Sequence, residues 1–233
     1  MHVVECNLWT DFLEWLEPYR QLPVRRRETF LWRGQSNVDD GLISTLDRDV
    51  LFRNAKERDE FVDKCLTEFK RDSYSLGMAL NSLDGEALEL LARHHGLPSP
   101  LLDFTISPYI AAYFAFAGRF QSETGKIAIW QVDRALLDVE DQLVQIIDDL
   151  ELLRFNPRAL RQKGIFLKVS QPQLDLAVAL GDAVTKIVLP ASQAKLALLD
   201  LEAMTINAAY LFDSLDGAAR AAFHRVVNAG SLV

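Results

Sequence analysis

Cysteine is almost missing from this chain. Its 233 residues hold two, Cys6 and Cys65, too few to staple a protein of this length or to close a zinc site. Cys65 falls at helical spacing between Phe61 and Phe69 and reads as a small core residue. Long apolar runs are missing too. The longest, Tyr109 to Ala117, is far short of the ~20 residues that span a bilayer. Met1 to Trp9 lacks the charged and apolar stretches of a secretory leader. A cytoplasmic protein with no membrane partner is therefore expected. Positive charge is in deficit: 25 Lys and Arg against 33 Asp and Glu give a net charge of -8. That excludes a broad nucleic-acid surface, which needs clustered cations. One local exception, Arg25-Arg26-Arg27, reads either as a solvated edge or as a local anion site.

The common cofactor and catalytic motifs are absent as well. There is no GxGxxG after a strand, no GxxxxGK[ST], no HExxH, no CxxC pair and no EF-hand loop. GxSxG is missing, which removes the usual hydrolase elbow. His94 and His95 are adjacent on a helix, so their side chains diverge by about 100° and do not share a metal. No metal is expected.

What remains is an ordinary globular composition, 49% hydrophobic and 25% charged, with no linker to divide it. Residues 1–233 read as one domain. Asn7 is placed to cap a helix running to about Tyr19, with Leu8, Phe12, Trp15 and Leu16 on one face. Glu28 to Gly34 alternates as a strand, Phe30 and Trp32 on one side and Leu31, Arg33 and Gln35 on the other. Lys56 to about Leu76 is amphipathic, with a stripe of Phe61, Cys65, Leu66 and Phe69. Asp84 opens a helix ending at His95, with Gly96 as its left-handed cap. Leu101 to Ser107 is extended, and Ser107-Pro108 starts the next helix. Strands are expected at Lys126 to Val132, Gly164 to Val169 and Val184 to Leu189. A helix is expected from Val139 to Leu153, and the last quarter is helical through Asp213 to Val227. Strands and helices mix without a strict βαβ rhythm, so the fold class is α+β, with a mixed or antiparallel central sheet flanked by helices.

Three clusters set polar residues in apolar surroundings. In Trp32-Arg33-Gly34-Gln35-Ser36-Asn37, a strand delivers Arg33 and Gln35 to one face. A fixed guanidinium there suits phosphate or carboxylate, or forms a structural ion pair. Gly34 beside it would let a ligand approach the backbone. In Ala92-Arg93-His94-His95-Gly96-Leu97-Pro98, His95 shares the stripe of Leu88 and Leu91, while His94 is offset toward a pocket; a last-turn His also complements the helix dipole. In Leu101 to Pro108, the side chains of Asp103, Thr105 and Ser107 share a face that ends at a helix N-terminus, where an anion can sit. Here too there is a simpler reading, with Ser107 as N-cap and Asp103 paired to Arg33. The alternation predicts that Arg33, His94, Asp103 and Ser107 line one concavity.

Together these segments resemble the FRG domain. The likeness starts at Trp32-Arg33-Gly34 and continues through His94-His95-Gly96-Leu97-Pro98, where His95 replaces the usual aromatic. It then takes in Leu101-Leu102-Asp103-Phe104-Thr105 with Ser107-Pro108 and Ala112-Tyr113-Phe114-Ala115. Asn156-Pro157-Arg158 with Arg161-Gln162, and Leu211-Phe212 with Leu215-Asp216-Gly217, complete a run from about Phe30 to Gly217. The family's motif order is similar to that of ADP-ribosyltransferases, and its members are associated with bacterial and phage conflict. The resemblance implies an ADP-ribosyltransferase-like fold with NAD as co-substrate and a protein or nucleic-acid acceptor. The protein would act as a toxin or antiviral effector, with an antitoxin or a second copy of itself as partner. By the same resemblance Arg33 contacts an NAD phosphate, and Gln35 and Asp103 are expected among the cofactor-binding residues. Thr105, Ser107 and Tyr113 frame the cofactor, while His94 and Gln162 join Arg33 as catalytic residues. The chain has no Glu at the third catalytic position, which leaves a non-catalytic nucleotide- or phosphometabolite-binding module as the alternative. A nuclease is disfavoured by the net charge and by the lack of a metal-ligand pattern.

Overall fold

The structure is a computed structural model that describes residues 1–80, 82–83, 85–137, 143–149 and 156–229. Seven strands form one sheet: β1 (His2–Glu5), β2 (Phe30–Gln35), β3 (Leu101–Thr105), β4 (Lys126–Asp133), β5 (Val144–Ile147), β6 (Gly164–Val169) and β7 (Val184–Pro190). Their spatial order is β1-β7-β4-β2-β3-β6-β5. Only β1 against β7 is parallel; the other five pairings are antiparallel. The class is α+β with a mixed sheet. Helices cover the sheet, so both faces of its central strands are apolar. On one face Trp32, Ile127, Ile129 and Ile187 pack with Trp9 and Phe12 from the N-terminal helix, with Leu16 just after it, and with Phe116. On the other, Leu31, Leu102, Phe104, Trp130 and Leu167 form a second core. A third cluster joins the helices Ala55–Ser75 and Gly85–His94 through Val62, Leu66, Leu88 and Ala92.

Several expectations are corrected by this arrangement. The first helix begins at Trp9 rather than after Asn7, and Trp9 takes the buried place foreseen for Leu8, which is exposed. Asp11 accepts the backbone N–H groups of Asn7 and Leu8 at 2.8 and 2.9 Å, so those donors are satisfied without an Asn cap. The helix stops at Trp15 and a separate turn, Glu17–Arg20, carries Pro18 in its first positions, because proline cannot continue a helix interior. The stripe of Ala55–Ser75 is rotated: Arg58, Val62, Leu66 and Ser73 are buried, Phe61 is exposed and Cys65 is half-buried. The helix expected from Val139 to Leu153 is overturned at its centre, where Val144–Ile147 pairs with β6 as an edge strand. The rest of that stretch lies partly outside the described residues, as does Asp84. Strand β1 had no counterpart in the sequence reading.

Gly34 has a different role from the one read for it. A Cβ there would fall 1.9 Å from the Ala111 carbonyl oxygen. The glycine lets the helix Pro108–Ala117 press against β2, not a ligand. Among the described residues, no helix is long and apolar enough to cross a membrane, and no group of three His, Cys, Asp or Glu side chains is placed to hold a metal.

Candidate functional site

The site begins at a fault in the sheet. Strand β2 pairs with β4 over six residues, and β3 with β6 over five, but β2 and β3 share one bridge, Trp32 with Thr105. Beyond it the two strands diverge, and edge groups that would have bonded each other need other partners. Arg33 reaches across the gap and donates from Nη1 to the Asp103 carbonyl oxygen at 2.7 Å. Its distance to the Asp103 carboxylate is 3.7 Å.

That carboxylate is already taken. Arg93, in the last turn of Gly85–His94, holds it in a bidentate pair, Nε to Oδ1 at 2.9 Å and Nη2 to Oδ2. The Nη1 of Arg93 also donates to Thr45 and Ser99 at 3.3 and 3.1 Å. Desolvation pushes the Asp103 carboxyl up, but the charge and hydrogen bonds of Arg93, with Arg33 behind, outweigh it, and its pKa lies below the ordinary value. Burial likewise opposes the charge on Arg93, and Asp103 overcomes it. Arg33 is treated differently. Desolvation comes first, only partly offset by Asp103, and Arg93 and Arg48 repel it, so its pKa falls to about 10. It stays charged at neutral pH, and its Nε is buried with no hydrogen-bond partner among the described residues.

Two lobes open from this point. The smaller, about 320 Å³, is lined by Arg33, Gln35, Asp40, Arg48, Thr105 and Ala111, among others. The larger, about 410 Å³, is lined by His94, Asn156, Arg158, Phe166 and Phe212, among others. Asp103, Phe104, Phe114 and Gln162 line both, so the two lobes adjoin. Each is of the size that small-molecule sites commonly have, roughly 300–1,000 Å³.

Arg33, Gln35 and Thr105 thus line one lobe and His94 the adjoining one, with Asp103 and Gln162 shared between them. Their availability differs. Gln35 is buried, its Nε2 donating to the Gly41 carbonyl at 3.0 Å and its Oε1 accepting from the Trp130 indole, so it builds the wall. Thr105 is buried and accepts the Ser107 N–H at 3.1 Å. Gln162 donates to the Leu211 carbonyl at 3.1 Å, which leaves its amide oxygen as an acceptor. His94 is held neutral: burial, then the charges of Arg158 and His95, lower its pKa from 6.5 to about 4. His95 is exposed and stacks on Phe69.

Two candidates lie elsewhere, against the expectation of a single concavity. Ser107 caps its helix by accepting the Ile110 N–H at 3.4 Å and lines a separate cavity with Arg27, Tyr109 and Lys163. Tyr113 is buried beside a small cavity shared with His224, and burial raises its pKa to about 12. The triple arginine forms a helical turn, with Arg26 paired to Asp133 and Arg27 at the Ser107 cavity.

The reading of the sequence overlooked Arg93 and Arg158 as site residues. Both sat inside quoted motifs. An arginine in a final helical turn looks like a dipole complement, and only the fold shows that Arg93 reaches Asp103 across the turn.

The fold and cleft define an α+β protein whose central sheet parts to leave an arginine at the opening. Residues 28–124 match the family model of the FRG domain, and the chain carries that domain. The segment contains β2, β3, Arg33, Arg93, His94 and Asp103, whereas Asn156, Arg158, Gln162 and Phe212 lie beyond it. No curated protein and no solved structure matches the chain.

Proposed function

We propose that the cleft binds NAD and that the protein is an ADP-ribosyltransferase-like enzyme, in keeping with a toxin or defence effector. The carrying observation is the division of labour between two arginines. Arg93 neutralises Asp103, so the charge of Arg33, which lines the smaller lobe, is left over for the oxygens of a pyrophosphate. The transfer breaks the bond between nicotinamide and ribose, and nicotinamide leaves with the bonding pair. An acceptor lone pair then forms the new bond, and the acceptor gives up a proton. Neutral His94, lining the larger lobe, has a free ring nitrogen to take that proton. The amide oxygen of Gln162 can hold a ribose hydroxyl. Positioning and electrostatics would supply most of the catalysis.

A second reading, a non-catalytic nucleotide-binding module, is favoured by two observations. The third position is a neutral Gln whose nitrogen is committed to Leu211, and the Asp103 carboxylate is held by Arg93.

Thermal unfolding with and without NAD tests the binding. At a hundredfold excess over Kd, a ligand of the native state adds about 2.7 kcal/mol. Arg33→Ala is expected to abolish the NAD-dependent rise while leaving the unliganded Tm nearly unchanged. Arg93→Ala is expected to lower the unliganded Tm, because Asp103 loses its partner. Release of nicotinamide by the wild type separates the two readings. Protein that binds NAD and never consumes it, whatever acceptor is offered, is the binding module.

A further inference from the structure

The larger lobe has an arrangement that NAD binding at Arg33 does not use. Its outer wall includes residues of two helices, Pro157–Arg161 and Ala208–Phe212, and a third helix, Leu215–Ala229, packs against the second just outside the lobe. They interleave cations with aromatic rings. The guanidinium of Arg158 lies 4.9 Å from the Phe212 ring centroid, and that of Arg220 lies 5.5 Å from the same ring. Arg161 lies 5.6 Å from the Tyr210 ring. Phe114, which lines both lobes, meets Phe212 edge-on at 6.0 Å.

The charge on this wall is not balanced. Arg161 is paired with Asp213 at 3.0 Å, but among the described residues neither Arg158 nor Arg220 has an ion-pair partner within 4 Å. Asp216 is near enough to be felt by Arg158 without bonding it. The Nε of Arg158 is buried with no hydrogen-bond partner among the described residues, and the residue lines the cavity of about 410 Å³. A half-buried guanidinium with an orphaned N–H, beside a second cation and an aromatic face, is costly unless an anion completes it.

We propose that this wall is the acceptor subsite and that the acceptor is single-stranded nucleic acid, its phosphate held by Arg158 and Arg220 and its base laid against the Phe212 and Phe114 edge of the lobe. Repeated phosphates beside planar bases match alternating guanidinium and aromatic groups. An acidic peptide would use the cations and leave the rings idle. The footprint spans a few nucleotides, which a net charge of -8 allows. The assignment of an acceptor rests on the transferase reading; the binding of a strand does not.

Fluorescence anisotropy of a labelled ten-nucleotide single strand, with the whole chain at low salt and no NAD present, tests it. Arg158→Ala is expected to weaken binding by about tenfold, the loss of one charge-assisted contact. The slope of log affinity against log salt should shrink by about 0.7 for each phosphate contact removed. Arg220→Ala, at an exposed position that leaves the fold intact, should weaken binding in the same direction. Arg225→Ala, on the same helix but bonded to Glu202 at 2.8 Å, should not. Equal losses from Arg220→Ala and Arg225→Ala, no binding by the wild type, or displacement of the strand by polyglutamate at a similar charge concentration would each overturn the proposal. Thermal shift by NAD, measured in parallel, keeps the two readings apart. A strand that binds without any NAD effect sinks the transferase and leaves this subsite standing.

Discussion

At the scale of single residues the site is a study in which charges are satisfied. Asp103 is half-exposed, yet Arg93 fixes it so fully that it is a poor partner for anything else. Arg33 is the more buried group and the less satisfied one. His94 completes the set as an uncharged base. Its pKa of about 4 arises chiefly from burial, with Arg158 and His95 adding repulsion. The consequence for stability has a definite sign. The unfolded chain takes up this proton near pH 6.5 and the folded one only near 4, so acid favours unfolding across that window. Stability present above pH 6.5 is lost as the pH falls toward 4. His94→Gln removes the titration. Between pH 6.5 and 4 the Tm of the wild type should therefore fall more steeply than that of His94→Gln, and parallel curves would show that His94 is not desolvated.

At the scale of elements, the cleft exists because β2 and β3 part after one bridge, and a buried ion pair holds the short helix Thr45–Asp49 over the opening. Arg58, almost fully buried on Ala55–Ser75, meets Asp47 at 3.4 Å and donates to the Val169 and Ser170 carbonyls at 2.7 and 3.1 Å. It thereby ties that helix to the end of β6, while Arg48 and Thr45 face the two lobes. Arg58→Ala leaves the Asp47 carboxylate buried and unpaired, a change that typically costs about 3–5 kcal/mol. A denaturant midpoint that hardly moves would show that water reaches Asp47. None of this was legible in the sequence. A helical stripe is read from apolar spacing, and an arginine in the first turn looks like solvent face. Strands β2, β3, β4, β6 and β7 were legible because each has a neighbour on both sides and apolar packing on both faces, which leaves a run of apolar residues in the sequence. The edge strands β1 and β5, four residues each, were not, since a pattern that short is fixed by its neighbour. Of the candidate site, the meeting of Arg33 with Asp103 could be anticipated from two alternating segments. The departure of Ser107 and Tyr113 depended on where β3 ends and how the following helix turns.

At the scale of the whole molecule, the cleft is closed by parts of the chain that are far apart in sequence. Arg33 and His94 lie within residues 28–124, while Arg158, Gln162 and Phe212 come from the later third. The sheet ties the same distances together. Strand β1 pairs with β7, so residues 2–5 lie against residues 185–188. Strand β2 depends on β4, and β3 on β6, for nearly all their ladder bonds. The final helix is bound just as closely, because a Cβ at Gly217 would lie 2.6 Å from the Ala208 carbonyl oxygen. Phe212, between those two contacts, is thereby held at the cleft. Although β2 and β3 share a single bridge, one apolar core spans that junction, with Leu31 and Trp130 on one side and Phe104 and Leu167 on the other, so the chain is expected to unfold as one unit. Far-ultraviolet circular dichroism, which reports helices and strands, and tryptophan fluorescence, which reports Trp9, Trp15, Trp32 and Trp130, should give coincident thermal transitions. Trp32 and Trp130 sit on opposite faces of the sheet, so the fluorescence samples both cores at once. A fluorescence change completed well before the loss of dichroism would mean that one face comes apart first, and the cleft would then rest on two separable units.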